Sequence, residues 1–339
     1  MTKKTKIVVT IGPATESQEV LTKLVNSGMN IMRLNFSHGD FFEHQIRVNN
    51  LRKVIQKTGS HVGIIQDLGG PKIRIGKFKT DSVILKKGQI FTLTTENVIG
   101  NKNIVSVNYP FLPKVVRVGH IIFLHDGNKK LEVKEIKIDK VMCKVLVGGN
   151  MRGERGVNLP DSKLSTKSLT TKDVADMEFG LKNEVDYFAL SFVRHPSDIL
   201  YLRNILKKKK SKAKIIAKIE TAQAIKHIDK IIRLSDAIMV ARGDLATEVP
   251  FEKVPIYQKM IIKKCNKAKK FVITATGMME SMIDAPIPSR AEVSDVANAI
   301  IDGTDAIMLS KETTLGHYPI ETLETVTKIA LETEKYLKK

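Results

Sequence analysis

Apolar positions along the chain fall into two recurring patterns. Short, β-branched runs occur at Lys6–Ile11, Asn30–Phe36, Gly63–Leu68, Asp186–Phe192, Lys214–Ile219, Ala237–Ala241, Phe271–Thr276 and Ala306–Ser310. Most are followed by a stretch with helical period. In Glu19–Asn26, Val20, Leu21, Leu24 and Val25 form one stripe, and in Val293–Ile301, Val293, Val296, Ala297, Ile300 and Ile301 form another. Strand–helix alternation of this kind predicts parallel βα units, and eight of them predict an α/β fold closed into a (β/α)8 TIM barrel.

One long stretch between the third and fourth runs breaks the alternation. There Leu131 and Val133, then Val141, Cys143, Val145 and Val147, alternate with polar residues at period two, and Asp126-Gly127-Asn128 and Gly148-Gly149 supply turn signals. The pattern predicts a small all-β domain, residues 71–168, inserted between the third strand and the third helix. The barrel is then divided into residues 1–70 and 169–339. Glu321–Leu337 reads as one amphipathic helix, after which the sequence ends.

Composition narrows the function classes. The 339 residues are 42% hydrophobic and 27% charged, an ordinary globular balance. No apolar run approaches the roughly 18 residues of a membrane helix. Met1-Thr2-Lys3-Lys4 leads directly into Ile7-Val8-Val9 without a secretory pattern, so a cytoplasmic protein with no membrane partner is expected. Cys143 and Cys265 are far apart and outside any CxxC pattern, which predicts reduced buried thiols. The net charge is +20, but lysines such as Lys207–Lys210 fall on predicted helix surfaces. With 5% aromatic residues and no Trp, there is little base-stacking material, and nucleic acid is not expected as the primary partner.

In a barrel of this type, chemistry gathers at the C-terminal ends of the strands. Most of those ends are polar: Arg33-Leu34-Asn35-Phe36-Ser37-His38, Gln66-Asp67, Lys218-Ile219-Glu220, Arg242-Gly243-Asp244, Thr274-Ala275-Thr276 and Ser310-Lys311-Glu312. Strand parity puts Arg33, Asn35 and Ser37 on one face and Lys218 and Glu220 on one face. Both signs of charge converging on one mouth suit a polyanion and a metal. Glu220 and Asp244 offer hard oxygen ligands for Mg²⁺, and Lys218 and Arg33 offer fixed positive charge for a transferring phosphoryl group.

Seven segments resemble pyruvate kinase signatures, in that family's order: Thr10–Thr15 (TIGPAT), Met32–Gly39 (MRLNFSHG), Gly70–Arg74 (GPKIR), Gly156–Pro160 (GVNLP), Ala217–Glu220 (AKIE), Met239–Leu245 (MVARGDL) and Ser289–Ser310. The resemblance implies phosphoryl transfer between phosphoenolpyruvate and ADP, giving pyruvate and ATP in glycolysis, with the inserted β domain as a lid over the barrel mouth. It makes Lys218, Arg33 and Thr276 the catalytic candidates. Arg33, Lys218, Gly243, Asp244 and Thr276 would bind substrate, with Thr276 also in the proton relay to the enolate. Asn35, Phe36, Ser37, His38, Arg74 and Arg155 would contact the nucleotide. Glu220 and Asp244 would hold Mg²⁺, with Mn²⁺ as a substitute. Alternatives are a catalytically dead scaffold of the same fold and another Mg²⁺-enolate barrel enzyme.

Departures from the family pattern carry expectations of their own. Leu68 follows Asp67, and Lys72 stands in GPKIR. This resembles the K⁺-independent branch, with the Lys72 ammonium serving a monovalent-cation site otherwise made with Asn35, Ser37 and Asp67. Ala246, Gly277 and Lys311 also depart from the usual residues near the mouth, and Arg155 replaces a frequent Lys. No segment matching the family's C-terminal domain follows the last helix. The expectation is therefore no sugar-phosphate activation, and a homo-oligomer, if one forms, through a barrel face.

Overall fold

The computed structural model describes residues 3–125, 127–162 and 167–338. Asp126, part of one predicted turn, lies outside the described residues. Eight parallel strands close a barrel: Lys6–Thr10, Ile31–Asn35, Gly63–Asp67, Tyr187–Leu190, Lys214–Ile219, Ala237–Ala241, Phe271–Ala275 and Ala306–Leu309. The barrel closes where Lys6 of the first strand pairs with Ala306 of the eighth. Each strand lies within one of the apolar runs of the sequence. The long excursion after the third strand returns beside it, with Ala189 paired to Asp67.

The strands are apolar on both faces because both are buried. Val8, Ile31, Ile65, Ala189, Ile216, Met239, Ile273, Ala275 and Met308 pack together as one cluster, the plug of the barrel interior. Ile7, Val9, Met32, Leu34, Ile64, Leu190, Ala217 and Ile219 on the same strands belong to a second cluster, shared with the surrounding helices. Alanines in the plug leave room for the larger residues beside them, the interdigitation expected of a filled barrel.

Local chemistry sets the helix ends. Ser17 accepts from the Val20 N–H at the start of Gln18–Asn26, and Asp40 with Glu43 forms a capping box for Phe41–Thr58. Ser289 and Glu292 cap Arg290–Ile301 in the same way. The last helix, Pro319–Tyr336, is fastened to the residues just before the first strand by Glu334, whose carboxylate accepts from the N–H groups of Lys4 and Thr5 at 2.8 and 2.7 Å. Among the described residues no helix is long and apolar enough to cross a membrane.

The chain divides into two compact units. The first comprises residues 3–70, 168–242 and 254–338 and contains the barrel; the second comprises 71–167 and 243–253. In the second, a six-stranded sheet runs in the order Val157–Asn158, Ile121–Leu124, Lys129–Ile136, Lys140–Val147, Ile90–Thr94, Ile104–Ser106, and Gly149–Arg152 pairs with Ser82–Leu85. The predicted alternation becomes an antiparallel pair, with Leu131 opposite Val145 and Val133 opposite Cys143, all fully buried. The sequence division gave 243–253 to the barrel, because it follows the sixth strand directly. The structure gives it to the second unit, where Asp244 pairs with Lys72 at 3.1 Å and Thr247 lies against Gly127. Both cysteine thiols are buried and free, and burial pushes each up to about 12, with Asp305 adding to the effect at Cys265.

Candidate active site

Side-chain parity builds the site. Two residues beyond five of the plug residues, the same inner face carries a polar group: Thr10 after Val8, Arg33 after Ile31, Asp67 after Ile65, Ser191 after Ala189 and Lys218 after Ile216. These groups form one connected layer. The Arg33 guanidinium donates from Nη1 to Thr10 Oγ1 at 3.0 Å and from Nε to Asp67 Oδ2 at 2.7 Å, and Nη2 stands 2.6 Å from the same oxygen. The other Asp67 oxygen lies 3.1 Å from Lys218 Nζ. The Lys218 ammonium also donates to Ser191 Oγ at 2.7 Å and pairs with Glu220 Oε1 at 3.0 Å. Asp67 and Glu220 side chains are each 1% exposed.

Charges this deep are stable only when paired and hydrogen-bonded. Burial by itself would raise the Asp67 pKa. The Lys218 ammonium and the Arg33 guanidinium override it and hold the carboxyl below its ordinary value. Glu220 gains a further donor: Oε2 accepts from the Phe192 N–H at 2.6 Å. Phe192 has φ 52°, an unusual conformation for an aromatic residue, and its amide hydrogen bond to a buried carboxylate helps offset that strain. The two cations and two carboxylates of this layer sum to zero formal charge. Among the described residues no cluster of three or more His, Cys, Asp or Glu is placed to hold a metal.

The remaining expected residues are distributed over both units. In the first, Thr276 follows the seventh strand with φ 77°, Asn35 ends the second, and Ser37 and His38 follow it. Phe36 begins the loop after the second strand with its side chain turned into the core. Its ring is buried in an aromatic cluster with Phe41, His44 and Phe179, so it supports the loop from beneath. In the second unit, Asp244 pairs with Lys72, and Arg74 donates to the Glu154 carbonyl at 3.1 Å. Arg155, one residue before the bridge partner of Arg74, has a buried Nε with no hydrogen-bond partner. Within the first unit Asp67 meets two cations, Arg33 and Lys218.

Three contributors were not singled out from sequence: Thr10, Ser191 and the Phe192 amide. Parity with Val8 and Ala189 was the available signal for the first two, and nothing local marks the third. Glu312, read as one of the charged strand ends, is a buried staple. Its carboxylate accepts from the N–H groups of Met279 and Ser310 at 3.2 and 2.8 Å.

His44 beneath the Asn35–Gly39 loop gives a pH prediction. Its ring stacks on Phe36 with centroids 4.2 Å apart, Nε2–H donates to the His38 carbonyl at 3.0 Å, and Arg47 Nη1 lies 3.4 Å from Nδ1. Burial, then the charge of Arg47, lowers its pKa from 6.5 to about 4. Above 6.5 both folded and unfolded states are neutral. Between 6.5 and about 4 only the unfolded chain takes the proton, so stability falls as pH drops through that window. Urea midpoints measured from pH 7 to 4.5 should decline less steeply in His44→Gln than in the wild type. Parallel declines would rule out His44 as the source.

A closed (β/α)8 barrel whose inner wall ends in a buried layer of paired cations and carboxylates defines the class: a TIM barrel with its polar layer at the ends of the strands. The family description "Pyruvate kinase, barrel domain" matches residues 2–323. The chain belongs to the pyruvate kinase family. A pyruvate kinase of Staphylococcus epidermidis is 48% identical over 334 residues, covering 98% of this chain and 57% of that protein. A pyruvate kinase of Thermotoga maritima is 46% identical over 335 residues, covering 99% of this chain and 72% of that protein. The crystal structure of a pyruvate kinase from Cryptosporidium parvum matches with a TM-score of 0.94 at 39% identity, over 98% of this chain and 70% of that one. The chain thus spans little more than half the length of the staphylococcal relative.

Proposed function

We infer that this chain transfers the phosphoryl group of phosphoenolpyruvate to ADP, yielding pyruvate and ATP. The observation that carries the reading is the Arg33–Asp67–Lys218–Glu220 layer, a buried ammonium and guanidinium fixed by carboxylates in a chain of the pyruvate kinase family. Phosphoryl transfer is mostly positioning and charge stabilisation, so cations fixed before the substrate arrives are the main requirement. Lys218 and Arg33 neutralise the phosphoryl oxygens. Glu220 and Asp244 are the proposed carboxylate ligands for Mg²⁺, which when bound supplies the positive charge the neutral layer lacks. The Gly243 and Asp244 amides with Thr276 receive the substrate carboxylate, and the Thr276 hydroxyl passes a proton toward the enolate carbon. Asn35, Ser37, His38, Arg74 and Arg155 are assigned to the nucleotide phosphates.

Independence from K⁺ is part of the proposal. Leu68 is buried in the core and presents no side-chain oxygen, and both Asp67 oxygens are already engaged by Arg33 and Lys218. A coupled assay with phosphoenolpyruvate, ADP and Mg²⁺ should show pyruvate formation that keeps most of its rate in K⁺-free buffer. Loss of nearly all activity without K⁺ would refute the cation-independent reading. No pyruvate under either condition would refute the assigned reaction.

A further inference from the structure

The sixth strand ends at Ala241, and the next residue, Arg242, is absent from the roles above. Its guanidinium spends every N–H on neighbours within the barrel unit. Nε and Nη2 both donate to the Thr276 carbonyl, at 3.0 and 2.7 Å. Nη2 also reaches the Gly277 carbonyl at 3.2 Å and the Met278 sulfur at 2.9 Å. Nη1 donates to both Asp295 oxygens at 2.9 and 2.7 Å and to Gln258 Oε1 at 3.3 Å. One side chain thus ties the end of the sixth strand to the turn after the seventh and to the helices Val254–Lys267 and Arg290–Ile301.

The turn it grips is strained. Thr276 has φ 77° and Gly277 has φ 65°, two successive left-handed residues. Glycine adopts this conformation readily, but a β-branched residue does so only under strain. It persists only where the surroundings over-determine it. Here two donors of a planar, rigid fork converge on the Thr276 carbonyl and a third takes the next carbonyl, which fixes the peptide plane between them. The Asp295 carboxylate in turn fixes the orientation of the fork. A lysine could match the charge but cannot place two donors on one carbonyl and a third group on Asp295 at once.

We propose that Arg242 is a positioning residue that holds Thr276 in its left-handed conformation, with Asp295 orienting the guanidinium, so that the Thr276 hydroxyl stays aimed for proton delivery. This rests on the role given to Thr276 above. The guanidinium contacts no substrate in this scheme and acts only through the Thr276–Gly277 peptide.

The test is a double-mutant cycle on the full chain together with a structure. Arg242→Lys should lower kcat for pyruvate formation about 10²-fold, the scale of a small misplacement of a reacting group, while KM for phosphoenolpyruvate changes little. Asp295→Asn should act in the same direction with a smaller effect, and it tests the same contact should Arg242→Lys fold poorly. In a Thr276→Ala background either change should cost nothing further, because the group it positions has gone. Full additivity in that background, or a kcat unchanged by both single substitutions, would overturn the proposal. The underlying reading fails separately, if Thr276→Ala itself leaves kcat at the wild-type value. Independently of any activity, a crystal structure of Arg242→Lys or Asp295→Asn should show Thr276 relaxed to negative φ. Retention of the positive φ in both would also overturn the proposal.

Discussion

Lys218→Met is expected to reduce phosphoryl transfer by about 10³-fold or more, the cost typical of removing a preorganised charge from a transition state. Methionine keeps the length and apolar stem of the side chain and deletes only the ammonium. That ammonium stands 3.1 Å from Asp67 and 3.0 Å from Glu220, so it is held in place before any ligand arrives and reorganises little during reaction. The loss should appear in kcat, since a charge developing on the phosphoryl group is stabilised more than the ground state. Single-turnover mixing of chain, ADP, Mg²⁺ and phosphoenolpyruvate would measure it. A variant within tenfold of the wild-type rate would remove Lys218 from the chemistry. Thermal unfolding of the same sample separates this from a fold defect.

Asp67→Asn addresses the other half of the layer, and its main effect is on stability. The carboxylate is wholly buried between Arg33 and Lys218, and an amide there leaves two buried cations with their shared negative partner removed. Breaking a buried ion pair from one side costs about 3–5 kcal/mol. The pH dependence follows from the sign of the shift. Because the folded-state pKa of Asp67 lies below its unfolded value, the stabilisation is fully present above the ordinary carboxylate range and is lost as pH falls through the folded value. Urea unfolding at pH 7 should therefore show the full deficit of Asp67→Asn, and the gap to the wild type should close as the solution is made strongly acidic. A constant gap, or none at pH 7, would mean that the carboxylate does not bridge the two cations.

Much of the barrel was legible because each strand is buried on both faces. A continuous apolar run bounded by polar ends is the expected mark of a parallel strand, and the runs at Lys214–Ile219 and Ala237–Ala241 coincide with strands to the residue. Parity alone then placed Arg33 two positions beyond Ile31, and Lys218 two beyond Ile216, on the inner wall. What parity cannot give is which neighbour each charge meets. Asp67 was read as a ligand for a monovalent cation, and its place between Arg33 and Lys218 depends on how the second, third, fourth and fifth strands stagger against one another. That stagger is a long-range property of the closed sheet. Phe192 was illegible for a different reason. Its left-handed backbone opposes the preference of an aromatic residue, and only the buried Glu220 carboxylate at the end of another strand explains it. The burial of the Phe36 ring was illegible as well, because Phe179, which covers it together with the nearby His44, comes from a helix far away in the sequence.

Cutting and pasting at the obvious seams would not produce two clean pieces. A gene joined across Gly70 and Ser168 would still encode Gly243–Lys253, now stripped of Lys72 and of the Gly127 turn against which Thr247 lies. The complementary excision would lack that same segment and leave the Lys72 ammonium without the Asp244 carboxylate. Grafting this β-rich module onto another barrel would thus require transplanting eleven residues from behind the sixth strand as well, along with their exact entry and exit points in the host.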